Sequence, residues 1–137
     1  MRKVPILIGL CLLVALGLTL MAQQEVTDLS PVMKDVQATN TKLTADIMAG
    51  NGADVAADAA KLRDDFTQAQ GFFKAMKAQD AVDLAQGNID ASKAVAKAAK
   101  ANDMDAAKAA AGTIQKSCKA CHSVHREQLP DKTFKFK

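Results

Sequence analysis

The sequence predicts an all-α domain, an antiparallel up-down-up-down four-helix bundle, and three observations carry that expectation. Apolar residues recur at spacings of three and four through four successive segments. The links between those segments are short, which makes neighbouring helices antiparallel. The chain of 137 residues contains five Phe and no Trp or Tyr. Its core must therefore be assembled from Ala, Val, Leu, Ile and Met, a composition that favours helices over sheet.

The first helix is expected from about Asp28 to Ala49, with Leu29, Val32, Met33, Val36, Leu43 and Ile47 on one stripe. Asp28 or Ser30 can cap its start, Pro31 suits a first helical turn, and Gly50-Asn51-Gly52 ends it. The second is expected from about Asp54 to Ala78, where Val55, Ala59, Leu62, Phe66, Ala69, Phe73 and Met76 alternate by four and three. Gly71 inside it costs about 1 kcal/mol against Ala, so it is expected to permit close packing. The third runs from about Ala81 to Ala101, with Val82, Ala85, Ile89, Ser92 and Ala96 as a weaker face and Asp80 as its cap. The fourth follows Asn102-Asp103, passes through Met104, Ala107, Ala111, Ile114, Cys118, Cys121 and His125, and is closed by Pro130. The helical domain is thus expected over residues 23–130, with an extended, exposed tail from Asp131 to Lys137.

Met1 to Lys3 carry two positive charges, and no charged residue occurs from Val4 to Met21. A basic start before an apolar run reads as a secretory signal over residues 1–22, cut after Ala22. Left uncut, the same run is an anchor, although eighteen helical residues span only about 27 Å, slightly short of a bilayer core. Cys11 is a poor lipidation site, because Leu10 stands where a small residue is expected. On either reading residues 23–137 are expected outside the cytoplasm, in the periplasm, since Arg2 and Lys3 stay inside. Taking those two from the 18 basic residues leaves 16 against 15 acidic ones. No dense basic patch with interleaved aromatics is present, so nucleic acid is not expected as a partner. The basic C-terminal end, with Lys116, Lys119, Arg126, Lys132, Lys135 and Lys137, is a solvated surface or a docking patch for an acidic redox partner.

Removing the signal removes Cys11 and leaves Cys118 and Cys121, too close along one helix for a structural disulfide. They belong to Cys118-Lys119-Ala120-Cys121-His122, a C-x-x-C-H sequence, the signature of covalent haem attachment. Two thiols add across the two haem vinyl groups, and the adjacent imidazole reaches the iron from one face. Such a haem c would also supply the large flat apolar body that this core lacks. A thiol–disulfide pair of thioredoxin type normally sits at a helix N-terminus after a strand, where the dipole lowers a thiol pKa. Here the pair sits near a helix end with no strand before it. A zinc site from Cys118, Cys121, His122 and His125 would require one straight helix to aim four side chains at one tetrahedral ion.

The stretch from Lys116 to Arg126 resembles the cytochrome c-prime family, which places C-x-x-C-H near the end of the fourth helix of a four-helix bundle. The Arg that this family carries four residues after the haem His is matched by Arg126, which implies a haem-edge contact. The turn Ala-Asn-Asp-Met-Asp-Ala-Ala before helix four is similar as well. The resemblance covers the mature chain in layout and is specific over about the last thirty residues. Where the family usually has an aromatic three residues after the His, this chain has His125. Where it often has an Arg four residues before the distal position, this chain has Leu29.

Met33 lies near the start of helix one, and in this topology that start shares a bundle end with the close of helix four. Low-spin members of the family use a Met at this place, so the resemblance implies His122 and Met33 as axial iron ligands. The alternative for Met33 is core filler, the usual fate of a Met on an apolar stripe. His125 is expected to hydrogen-bond a propionate or to face water. The function expected is single-electron transfer with periplasmic redox proteins, by a monomer or homodimer; the alternative is a five-coordinate, gas-binding module. No acid–base pair, nucleophile or phosphate loop is present, so an enzyme is not expected.

Overall fold

The expected apolar stripes form four helices. The computed structural model describes residues 28–137; the signal or anchor expected at 1–22, and the domain's first residues, 23–27, lie outside the described residues. Helix α1 spans Ser30–Ala49, α2 Gly52–Ala75, α3 Gln79–Lys100 and α4 Met104–His125. Leu29, rather than Asp28 or Ser30, holds the cap position of α1, and no side chain caps that start. Asp28 Oδ1 accepts the Ser30 N–H at 2.9 Å ahead of Pro31. At the other end of α1, Gly50 adopts φ 75°, left-handed backbone that glycine reaches without a Cβ clash. Asp103 caps α4 by accepting the Ala106 N–H at 2.9 Å. Asp80 departs from expectation. Ala78 holds the cap position of α3 and Asp80 lies in its first turn, so its carboxylate points to a different partner.

Helix α1 packs on α2, α2 on α3 and α3 on α4, while α4 returns to α1 along the slightest of these contacts. This is the antiparallel four-helix bundle. The principal core contains Leu43, Val55, Leu62, Val95 and Ile114, all fully buried. A second cluster, Ala69, Phe73, Ala81, Val82 and Ala85, joins the end of α2 to the start of α3. Alanine-rich faces let helices approach closely, and among the described residues the tightest glycine contact is at Gly52, where an added Cβ would lie 3.1 Å from the Ala99 carbonyl oxygen. Gly71 is not a packing glycine as expected: it is exposed, and a Cβ there would meet nothing within 4 Å.

Two lysines fasten α1 to α2. Lys42 Nζ reaches Asp46 at 2.7 Å and Asp58 at 3.1 Å, and Lys61 Nζ reaches Asp65 at 3.0 Å and Asp35 at 3.5 Å. Burial pushes the Asp58 and Asp65 carboxyls up, against the lowering by their lysines.

The chain beyond α4 differs from the expected plain tail. The helix stops at His125, before Pro130, and Arg126–Gln128 (β1) pairs antiparallel with Phe134–Phe136 (β2). The Leu129 N–H donates to the Thr133 carbonyl at 2.8 Å to close the turn. The hairpin folds back on the bundle, and Phe136 packs on the second cluster. The reason is legible afterwards: Phe134-Lys135-Phe136-Lys137 alternates with the period of a strand. Among the described residues no helix is long and apolar enough to cross a membrane.

Candidate haem-attachment site

Helix α4 buries Ala107, Ala111 and Ile114. Carrying that stripe onward by threes and fours leads to Cys118, Cys121, His122 and His125, so the face that builds the core runs directly into the motif. Cys118, Cys121 and His122 are each half-buried. Both thiols are free, and Cys118 packs against the principal core. One residue earlier, Ser117 Oγ donates to the Leu84 carbonyl at 3.3 Å and ties this part of α4 to α3.

Burial dominates the electrostatics here. It pushes the Cys118 thiol up, with the neighbouring Cys121 adding to the shift, and pushes the Cys121 thiol up with help from the Asp80 carboxylate. Both cysteines are therefore neutral thiols at pH 7, the opposite of the lowered thiol that a thiol–disulfide catalyst requires. Burial, then the Arg126 charge, pushes the His122 imidazole down. A neutral imidazole keeps a ring-nitrogen lone pair for a metal. Among the described residues no side chain hydrogen-bonds the His122 ring, and no three of His, Cys, Asp or Glu converge to hold a metal ion.

The structure brings Met33 to the same end of the bundle as His122. Met33 is half-buried and packs with Leu29 and Val32 against the second cluster, the one that Phe136 also covers. Arg126 lies just beyond the helix in extended backbone, at φ −106° and ψ 124°, instead of continuing the α4 face as a four-residue helical offset would. Its guanidinium stacks over the Phe134 ring at 4.1 Å. A surface groove of about 380 Å³ lies elsewhere, between α2 and α3, lined by Ala56, Ala59, Ser92, Ala96, Arg63 and Lys97.

No family model, no curated protein and no solved structure matches the chain. The reading of the site rests on its residues.

Sequence reasoning missed the partner of His125. The ring is neither turned to water nor left for a propionate: Nε2 lies 2.7 Å from Asp80 Oδ2, and Nδ1 lies 3.3 Å from the Lys137 carbonyl oxygen. The Phe136 ring stacks on it at 4.8 Å and 12°. No local pattern links positions 80, 125 and 136; only the alternation in the tail signals that Phe136 could fold inward.

The donor set suits a covalently attached haem. Such a group needs two thiols three residues apart and an imidazole beside the second, all on one helical face. Cys118, Cys121 and His122 meet that requirement, and their half-burial beside the core gives an apolar ring a surface to cover.

Proposed function

We propose that this chain is an exported c-type cytochrome of the c-prime type, a periplasmic carrier of single electrons. One observation carries the reading: C-x-x-C-H lies on the half-buried face of the last turns of α4, at the end where α1 presents Met33. Cys118 and Cys121 would hold haem by thioether bonds, and His122 and Met33 would be the ligands of its iron. The haem supplies a one-electron couple at its iron.

The protein's own part is binding, orientation and exclusion of water. The core fixes Cys118, so attachment at Cys118 and Cys121 ties one porphyrin edge to a rigid helix. The neutral His122 imidazole offers a lone pair without first losing a proton. A thioether from Met33 would be a second ligand for the iron and would help keep water and small molecules from it, which suits an electron carrier. The basic start and apolar run over residues 1–22, read as an export signal, support the same reading, because covalent attachment would retain haem where free haem would be lost.

The test is expression with a haem-attachment system. Wild-type chain should accumulate as red holoprotein, and Cys118→Ala or Cys121→Ala should lower its yield sharply. Equal yields from the wild type and both variants would contradict the proposal.

A further inference from the structure

The end of the bundle that carries the candidate haem site holds a second arrangement that haem attachment itself does not require. His125 occupies the last position of α4, three residues beyond His122. It is fixed on three sides: by Asp80 from the first turn of α3 at 2.7 Å, by the Lys137 carbonyl oxygen at 3.3 Å, and by the stacked Phe136 ring at 4.8 Å. The backbone repeats the tie, since the Lys137 N–H donates to the His125 carbonyl at 2.9 Å. Phe136 in turn stacks on Phe73 at 5.2 Å and meets Phe72 edge-on at 5.7 Å. Three of the five phenylalanines of the chain are thus gathered at this one place, whereas Phe66 alone lies in the principal core.

The arrangement touches both sides of the candidate site. Through His125 it grips the final turn of α4, which bears His122. Through Phe136 it covers the cluster on which Met33 packs. Asp80 lies close enough to the Cys121 thiol to help push it up. Aromatic contacts of this kind stabilise beyond the area they bury, and a hairpin closed by them resists opening more than a free tail does.

We propose that Asp80, His125 and Phe136 act as a positioning brace that clamps the C-terminal hairpin over the Met33 side of the haem site and so keeps Met33 from leaving the iron. The proposal rests on the function proposed above. The brace, more than Met33 alone, then decides whether the iron stays closed to small gases. Asp80 and His125 hold the α4 end in register with α3; Phe136 is the wedge that stops the α1 start from moving away.

The test uses the full-length, haem-loaded chain. Phe136→Ala and Asp80→Asn are compared with wild type by the fraction of high-spin absorption, by the rate at which the reduced protein takes up carbon monoxide, and by hydrogen exchange of the amides of residues 122–125. Both variants should take up carbon monoxide at least tenfold faster, show a raised high-spin fraction and exchange faster at those amides. Phe136→Tyr, which keeps the stacked ring, should behave as wild type. Should Phe136→Ala fail to load haem, Phe136→Leu, which keeps bulk without the ring, carries the same comparison. Val55→Ala is the control for general loosening, because it weakens the core at the opposite end. Haem-loaded variants with carbon monoxide rates within twofold of wild type would overturn the brace alone, as would a Val55→Ala protein accelerated as much as Phe136→Ala. A wild-type chain that holds no covalent haem would overturn the proposed function together with the brace.

Discussion

The reactivity of the two thiols in haem-free chain separates a haem-attachment pair from a redox pair. Only thiolate attacks an alkylating agent, so the rate at a given pH follows the thiolate fraction. An ordinary thiol, with a pKa of about 8.5, is roughly 3% thiolate at pH 7 and so reacts about 30-fold below its alkaline plateau. A thioredoxin-type thiol with a pKa near 7 is about half ionised and reacts only about twofold below its plateau. Burial pushes Cys118 and Cys121 up from the ordinary value, and ionising Cys121 would push Cys118 up again. Each should therefore alkylate at pH 7 at least about 30-fold more slowly than at its plateau, with Cys118 the slower. The assay is iodoacetamide labelling of the haem-free chain from pH 6 to pH 10, with each cysteine followed by peptide mass spectrometry. A rate at pH 7 within about threefold of the plateau for either residue would refute the argument and restore the thiol–disulfide reading.

Three further outcomes follow from named residues. Met33→Ala should open the iron of the holoprotein, lower its midpoint potential and let carbon monoxide bind readily; wild-type protein that is already high-spin and binds carbon monoxide without a barrier would favour the five-coordinate, gas-binding alternative. Ile114→Ala removes a fully buried side chain from the principal core, and should cost about 2–5 kcal/mol in urea denaturation; a loss under about 1 kcal/mol would contradict close packing there. Asp65→Asn should stabilise the fold at pH 7 and lose that advantage below about pH 4. The folded carboxyl is raised by burial, so wild type gains stability as pH falls below the folded value and loses it as pH rises through that value. Urea curves at the two pH values check the sign, and a variant less stable than wild type at pH 7 would reverse it.

The bundle was legible because its signals are local and repeated. Spacings of three and four along α2 and α3, short links, and the turn at Gly50 each act within a few residues. The candidate site was legible for the same reason: Cys118, Cys121 and His122 are neighbours in sequence, and on a helix spacing alone puts them on one face. What the sequence hid was long-range or weakly patterned. The contact between Asp80 and His125 joins residues far apart in the chain, and Asp80 offered a local role, as a helix cap, that fitted equally well. The hairpin was hidden by its three-residue strands, too short for alternation to outweigh the expectation of a free tail. Gly71 misled because a glycine inside a helix suggests close packing, yet it lies on the exposed face; the glycine that does meet a neighbour, Gly52, is at a helix start and reads as part of a turn.

Acid–acetone extraction of the purified coloured protein tests whether Cys118 and Cys121 hold haem by thioether bonds. The haem colour should stay with the precipitated polypeptide, and a tryptic peptide containing Cys118 to His122 should carry the haem. Haem that passes freely into the acetone, leaving both cysteines as free thiols, would contradict it.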